Sequence, residues 1–328
     1  MLILWILVFL VSLFVLIKAA DYFTEGAEKI GLALKISPFI VGVTIVSIGT
    51  SLPELATSIV ALLRDQTEIV VANALGSNIA NILLVVGICA IIAGVLSVRR
   101  SLIDIDLPLL LSATALIVVI MWDKQVTLGE GLIAIIGYLV YAGYTIRSEK
   151  EEKPQPGGIL PGEDIPATRE KRHKHRHKRN LNFSLIGVLA ISTAAIYFSA
   201  DWTVKSMLQI AGIVNINASV VSMVALAIGT SLPELVVSLG AVRKKKYEIA
   251  LGNVFGSNIF NALMLIGIPA LFKPLKIDDV TFSIGVPFLI GATLIYTFSG
   301  ISKKIHKWEG MMYILIYILF VAKLLGAF

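Results

Sequence analysis

Apolar residues fall in ten long blocks separated by short polar breaks, at roughly 2–20, 38–63, 69–95, 105–122, 127–146, 182–200, 216–241, 248–272, 280–298 and 309–326. A helix crossing a bilayer needs about 20 mostly apolar residues. The pattern therefore predicts an all-α integral membrane protein with ten transmembrane helices. Five blocks precede a polar stretch at 147–181 and five follow it. The first block lacks a positively charged leader and a small-residue cleavage signal, so it reads as a span and not as a signal peptide. Composition sharpens the picture. Of 328 residues, 57% are hydrophobic and 15% charged, and mean hydropathy is +0.87. Soluble domains carry about 45–50% apolar and about 25% charged residues, so a soluble enzyme and a disordered chain are both excluded. The one cysteine, Cys89, sits inside an apolar block, which rules out an intrachain disulfide.

Charge placement orients the chain. Lysine and arginine accumulate on the cytoplasmic side of membrane proteins. With 147–181 inside, 22 Lys and Arg face inward and 6 face outward, which puts both termini outside. The net charge of +6 is thus a topological signal, and no nucleic-acid partner is expected.

The chain repeats itself at an offset of 180. Residues 49–55 and 229–235 both read GTSLPEL, and 76–79 and 256–259 both read GSNI. Five spans per half is an odd number, so the second half must enter the membrane inverted relative to the first. The loops after the two heptapeptides agree. Arg64-Asp65-Gln66-Thr67-Glu68 is net acidic, whereas Arg243-Lys244-Lys245-Lys246-Tyr247-Glu248 is strongly basic. The predicted organisation is a first five-helix repeat at 1–146, a basic cytoplasmic linker at 147–181, and a second, inverted repeat at 182–328. Inverted repeats with interrupted helices in matching positions mark secondary transporters, with the substrate site near the midplane.

Glu54 and Glu234 lie deep within apolar blocks at matching positions. An ionised side chain at the bilayer centre costs about 2.5–3.5 kcal/mol on insertion scales, so such residues mark functional sites. A protonated glutamate packed in a silent core is the competing reading. The neighbours favour a cation site. Pro53 and Pro233 remove a backbone donor and break the helix, freeing carbonyls for which Ser47 and Thr50, with counterparts Ala227 and Thr230, are candidates. The following blocks add Gly76-Ser77-Asn78 with Asn81, and Gly256-Ser257-Asn258 with Asn261. Small residues also serve helix packing, and Asn also bonds between helices. All these groups are hard oxygen donors, which suit Ca²⁺ and Na⁺ and disfavour Zn and Cu; Mg²⁺ fits less well because it demands a strict octahedron. Two carboxylates neutralise one Ca²⁺, two Na⁺ or two H⁺. Ions that compete for the same pair of acids can be exchanged.

The paired motifs resemble the α-repeats of the cation/Ca²⁺ exchanger superfamily, in particular its sodium/calcium exchanger branch and prokaryotic relatives. They are GTSLPE in both halves, followed by ANALGSN at 72–78 and GNVFGSN at 252–258. The resemblance spans all ten blocks. It implies Ca²⁺ ligation by Glu54 and Glu234 with the carbonyls of Thr50 and Thr230. It implies flanking Na⁺ sites using Ser47, Thr50, Ser51 and Ser77 on one side, and Ala227, Thr230, Ser231 and Ser257 on the other. It also implies that spans 1 and 6 slide against an eight-helix core. The proton/calcium branch carries a GNxxE-like motif instead, which this chain lacks. Archaeal exchangers of this type, and the potassium-dependent branch, can have Asp in the second repeat at the position of Asn261. Asn81 and Asn261 leave this chain one carboxylate fewer, which implies no K⁺ co-transport.

The expected function is Na⁺/Ca²⁺ antiport by alternating access, with H⁺/Ca²⁺ or other divalent-cation antiport as the alternative. A cation channel fits less well, since channels need a continuous pore, often built by subunit symmetry. An intramembrane protease built on Ser/His or zinc is unsupported, because the four histidines, at 173, 175, 177 and 306, lie outside the spans. No enzymatic activity, cofactor or obligatory protein partner is expected. The basic run at 171–179 reads as a positive anchor able to meet anionic lipid. Asp21 and Asp201, also matched, read as solvated helix ends. The expected location is a prokaryotic cell membrane.

Overall fold

The computed structural model describes residues 1–33, 47–97, 107–151, 183–245 and 247–327. The basic run at 171–179 and most of the linker lie outside these residues, as does the first part of the second apolar block. The described chain is overwhelmingly helical. The first half contributes α1 (Leu2–Ala33), α2 (Ser47–Thr50), α3 (Leu52–Leu63), α4 (Thr67–Ala93), α5 (Leu107–Ile120) and α6 (Leu128–Glu151). The second contributes α7 (Phe183–Val214), α8 (Ala218–Thr230), α9 (Leu232–Arg243), α10 (Tyr247–Ala270), α11 (Thr281–Ile301) and α12 (Lys307–Leu324). Six of these are long and apolar enough to cross a membrane, or seven if the bent pair α8 and α9 counts as one span.

Two expectations need correction. The first and sixth blocks were expected to end near residues 20 and 200, but α1 and α7 each run for 32 residues. At 1.5 Å per residue that is about 48 Å, longer than the ~30 Å hydrocarbon layer. In α1 the long apolar run is first broken near Lys18 and Asp21, yet nothing there breaks a helix; in α7 the apolar residues continue past Asp201 to Val214, with Lys205 among them. In α1 the pairs Lys18–Asp21, at 3.1 Å, and Glu25–Lys29, at 3.8 Å, support the polar extension at helical spacing. The second correction is that the chain is not purely α. Strand β1 (Val95–Ser97) pairs antiparallel with β4 (Lys304–His306), and β2 (Gln125–Val126) with β3 (Leu275–Lys276). These ribbons are too short to register as a period-2 pattern. Each joins the first half of the chain to the second. At the β2–β3 end, Lys124 reaches Asp279 at 2.6 Å and holds its carboxyl below the usual range.

Helices α4 and α10 form the centre. In their apolar windows 78% and 83% of residues are buried, against 28% for α1 and α7. The two central helices pack on each other, with α6 against α10, α12 against α4, and α5 against α11. Backbones approach closely where glycine faces backbone. A Cβ on Gly310 would meet the Gly87 carbonyl at 2.7 Å, and one on Gly131 would meet the Gly267 carbonyl at 3.0 Å. Such small-residue contacts let helices pack without a hydrophobic driving force. Helices α1 and α7 lie outside this centre and pack extensively on each other.

Candidate ion-binding site

Both heptapeptides break a helix, and in the same way. Ser51 separates α2 from α3 with φ −90° and ψ 7°. Ser231 separates α8 from α9 with φ −82° and ψ 5°, and the bend there is 41°. These angles fall in the sparsely allowed bridge region, where active-site residues often sit. Pro53 and Pro233 follow two residues later, at the start of the new helix, where the missing N–H is harmless. The first turn of α3 therefore carries Glu54, and that of α9 carries Glu234. A helix N-terminus favours negative charge, so the fold supports the acids it buries.

The two halves meet at these carboxylates. Ser51 Oγ donates to Glu234 Oε1 at 3.1 Å, and Ser231 Oγ donates to Glu54 Oε1 at 3.3 Å. Each half thus orients the acid of the other. Both glutamates are fully buried. Their remaining oxygens, Glu54 Oε2 and Glu234 Oε2, have no hydrogen-bond partner in the protein. Ser77 Oγ and both polar side-chain atoms of Asn81 and of Asn261 are likewise buried and unpartnered, as are the Oδ1 atoms of Asn73, Asn78 and Asn258. Leaving one buried polar atom unsatisfied costs about 1–3 kcal/mol, and native structures hold only a few. Eight of these ten atoms, on α3, α4, α9 and α10, are oxygens, a donor set that suits a hard cation. Among the described residues no group of three or more His, Cys, Asp or Glu could hold a metal ion, so any cation here relies on two carboxylates and neutral oxygens.

The other expected residues are placed as follows. Thr50, Ser51, Ser77, Thr230, Ser231, Ser257 and Ala227 are all buried around the breaks. Thr50 Oγ1 lies 3.3 Å from Ser257 Oγ and 3.5 Å from Asn253 Oδ1. Thr230 Oγ1 donates to the carbonyls of Leu226 at 3.1 Å and Ala227 at 3.5 Å. The Ala227 carbonyl also accepts the Ser231 N–H at 3.1 Å, so it is less free than proline-freed backbone implies. Ser47 opens α2, but its side chain lies outside the described residues. Asn81 sits in a π-helical turn at Ala80–Val85, a feature common at functional sites.

Sequence reasoning passed over one pair. Asn73 Nδ2 donates to the Glu54 carbonyl at 3.2 Å and to Thr57 Oγ1 and Ser58 Oγ at 3.3 and 3.2 Å. Asn253 Nδ2 reaches the Glu234 carbonyl at 3.4 Å and Ser238 Oγ at 3.2 Å. These asparagines clamp the backbone of the two acid-bearing turns. The signal was present, since both stand in the repeated motif 180 apart. Asn73→Ala is expected to raise the half-saturating Ca²⁺ about tenfold, equivalent to ~1.4 kcal/mol; an unchanged Ca²⁺ dependence of uptake removes Asn73 from the site.

Comparison with known proteins places the chain in a family. The sequence profile described as sodium/calcium exchanger protein matches residues 4–147 and 184–326. The chain belongs to the sodium/calcium exchanger family. It is 31% identical to the sodium/calcium exchanger MaX1 of Methanosarcina acetivorans, over 97% of each chain. It is 30% identical to the inner membrane protein YrbG of Escherichia coli, over 88% of this chain and 86% of that one. Among solved structures it resembles the sodium-calcium exchanger NCX_Mj soaked with Na⁺ and Ca²⁺, with a TM-score of 0.64 and 28% identity over 98% of this chain and 99% of that one. In this exchanger, therefore, the paired breaks and crossed serine–glutamate contacts belong to a membrane protein with archaeal and bacterial relatives.

Proposed function

We propose that this protein is a secondary antiporter that exchanges Na⁺ for Ca²⁺ across a membrane by alternating access. The observation that carries the site assignment is the crossed pair Ser51–Glu234 and Ser231–Glu54, which joins two buried carboxylates from opposite halves. Glu54 and Glu234 are the charged ligands shared by the competing ions. Thr50, Ser51, Ser77 and Asn81, with Ser47, supply neutral oxygens from the first half. Thr230, Ser231, Ser257 and Asn261, with the Ala227 backbone, supply them from the second.

The reading includes ten spans in two inverted five-helix repeats at 1–146 and 182–328. Support comes from the 180-residue repeat and from counting each broken pair, α2 with α3 and α8 with α9, as one span. Helices α1 and α7 are the moving pair, because they lie outside the buried centre and pack mainly on each other. Both termini face outward and the linker at 147–181 faces the cytoplasm of a prokaryotic cell, as the 22 to 6 bias in Lys and Arg requires.

The test is Ca²⁺ uptake into proteoliposomes loaded with Na⁺, beside vesicles carrying a matched H⁺ gradient. Uptake driven by Na⁺ is expected; uptake with H⁺ alone overturns the reading in favour of H⁺/Ca²⁺ exchange. Asn261→Asp adds a third carboxylate beside the site and is expected to raise sensitivity to K⁺ or Na⁺ several-fold. An unchanged ion profile removes Asn261 from the ligand set.

A further inference from the structure

The two halves agree at the centre of the site and differ at its flanks. Between residues 20–87 and 200–267 each position has a counterpart 180 residues away, so contacts made there can be compared pair by pair. The crossed serine–glutamate pair is made twice. Others are made once, and three of them bear on access to the site.

Helix α7 packs along α3, but among the described residues the counterpart pair, α1 and α9, lacks comparable packing. Arg64, just past α3, donates from Nε at 2.9 Å and from Nη2 at 2.5 Å to Asp201 Oδ1 on α7. The counterparts are Lys244 and Asp21. Asp21 pairs instead within its own helix, with Lys18 at 3.1 Å, and Lys244 is exposed, with no ion pair among the described residues. Thr50 reaches Ser257 and Asn253 across the site. Its counterpart Thr230 faces Glu54, as Thr50 faces Glu234, but its other bonds run back into its own helix, and Ser77 Oγ and Asn73 Oδ1 remain without partners.

The three differences run the same way. The first-half member (α3, Arg64, Thr50) has reached its second-half partner. The second-half member has not reached its first-half partner: α9 is away from α1, Lys244 from Asp21, and Thr230 from Ser77 and Asn73. Random asymmetry would mix the directions. A single two-state motion that closes one face and parts the other produces all three.

We infer that Asp21 and Lys244 form an ion pair in the second access state, in which Arg64 and Asp201 separate. The inference rests on the alternating-access reading above. It assigns a gating role to four charged residues outside the ion site. Arg64 and Asp201 are about one-third exposed, at 34% and 33%. Ion pairs of that exposure are weak, as a contact broken in every cycle must be. Arginine presents a planar fork and lysine a single ammonium, so the pair at Lys244 is the looser of the two.

The test uses cysteine pairs in a Cys89→Ala background with a protease site inserted in the linker. One variant carries Asp21→Cys with Lys244→Cys, the other Arg64→Cys with Asp201→Cys. Each pair spans the two halves, so a short bis-maleimide keeps the protease-cut halves together on a denaturing gel. Both pairs are expected to cross-link, with yields that shift in opposite directions as Na⁺ is exchanged for Ca²⁺. A 21–244 pair that never links while 64–201 does, or yields that rise and fall together, overturns the inference. A second measurement uses charge exchange. Asp21→Lys and Lys244→Asp are each expected to slow exchange about tenfold, and the double variant to recover it; no recovery overturns the pairing. Whether the 21–244 pair links at all reads geometry and not flux, so a wild-type protein driven by another ion overturns the functional reading and leaves that readout intact.

Discussion

Glu54→Gln and Glu234→Gln are each expected to reduce Ca²⁺ exchange below about 1% of wild type. Glutamine keeps the size of the side chain and can still accept from Ser231 or Ser51. What it removes is one of two negative charges. A bound Ca²⁺ is then left with net positive charge in a fully buried site. Breaking a buried charge pair from one side costs about 3–5 kcal/mol. At 1.4 kcal/mol per tenfold, that is a loss of at least ~100-fold in affinity. The same substitution removes an ion that is expensive to bury. The ion-free variant is therefore expected to melt no lower than wild type, while losing the stabilisation that Ca²⁺ gives by mass action. Paired melting curves in detergent, with and without Ca²⁺, check both statements. Wild-type exchange in either variant sinks the site assignment.

Gly76→Val is expected to abolish exchange and to lower stability by about 3 kcal/mol or more, the scale of a severe overpacking defect. A Cβ on Gly76 would lie 2.7 Å from both the Cα and the carbonyl oxygen of Met223 on α8. Backbone cannot move aside as a side-chain tip can. The helices must part, and they are the helices that carry Ser77 and lead into Ser231. The control lies four residues earlier in the matching motif. A Cβ on Gly252 meets nothing within 4 Å, and its first-half counterpart is already Ala72. Gly252→Ala is expected to transport normally. Melting temperature and initial uptake rate, measured on both variants, decide the point; a Gly76→Val protein that matches Gly252→Ala would show that α4 and α8 can separate freely.

Much of the site was legible because membrane burial leaves few innocent explanations for charge. Glu54 and Glu234 interrupt apolar blocks, and the 180-residue repeat marks Thr50, Ser51, Ser77 and their counterparts as a set. The helix breaks were legible from Pro53 and Pro233, since proline's missing donor acts locally. The crossed pairing of serine and glutamate was not, because it depends on how two distant segments meet. The far ends of α1 and α7 were missed for another reason. Hydropathy reports where lipid contact stops, and a helix held by Lys18, Asp21, Glu25 and Lys29 continues past that point. The π-helical turn at Asn81 and the two ribbons answer to tertiary packing and leave no periodic mark.

The ribbons carry a further consequence. Among the described residues strand β1 pairs with β4 and β2 with β3, so each half of the chain holds one strand of each ribbon. Each half likewise holds one acid and the serine that orients the other half's acid. A protein made of a single half would end in two unpaired strand edges and half a site. On the inverted-repeat reading, it completes both only against a second copy inserted the opposite way up.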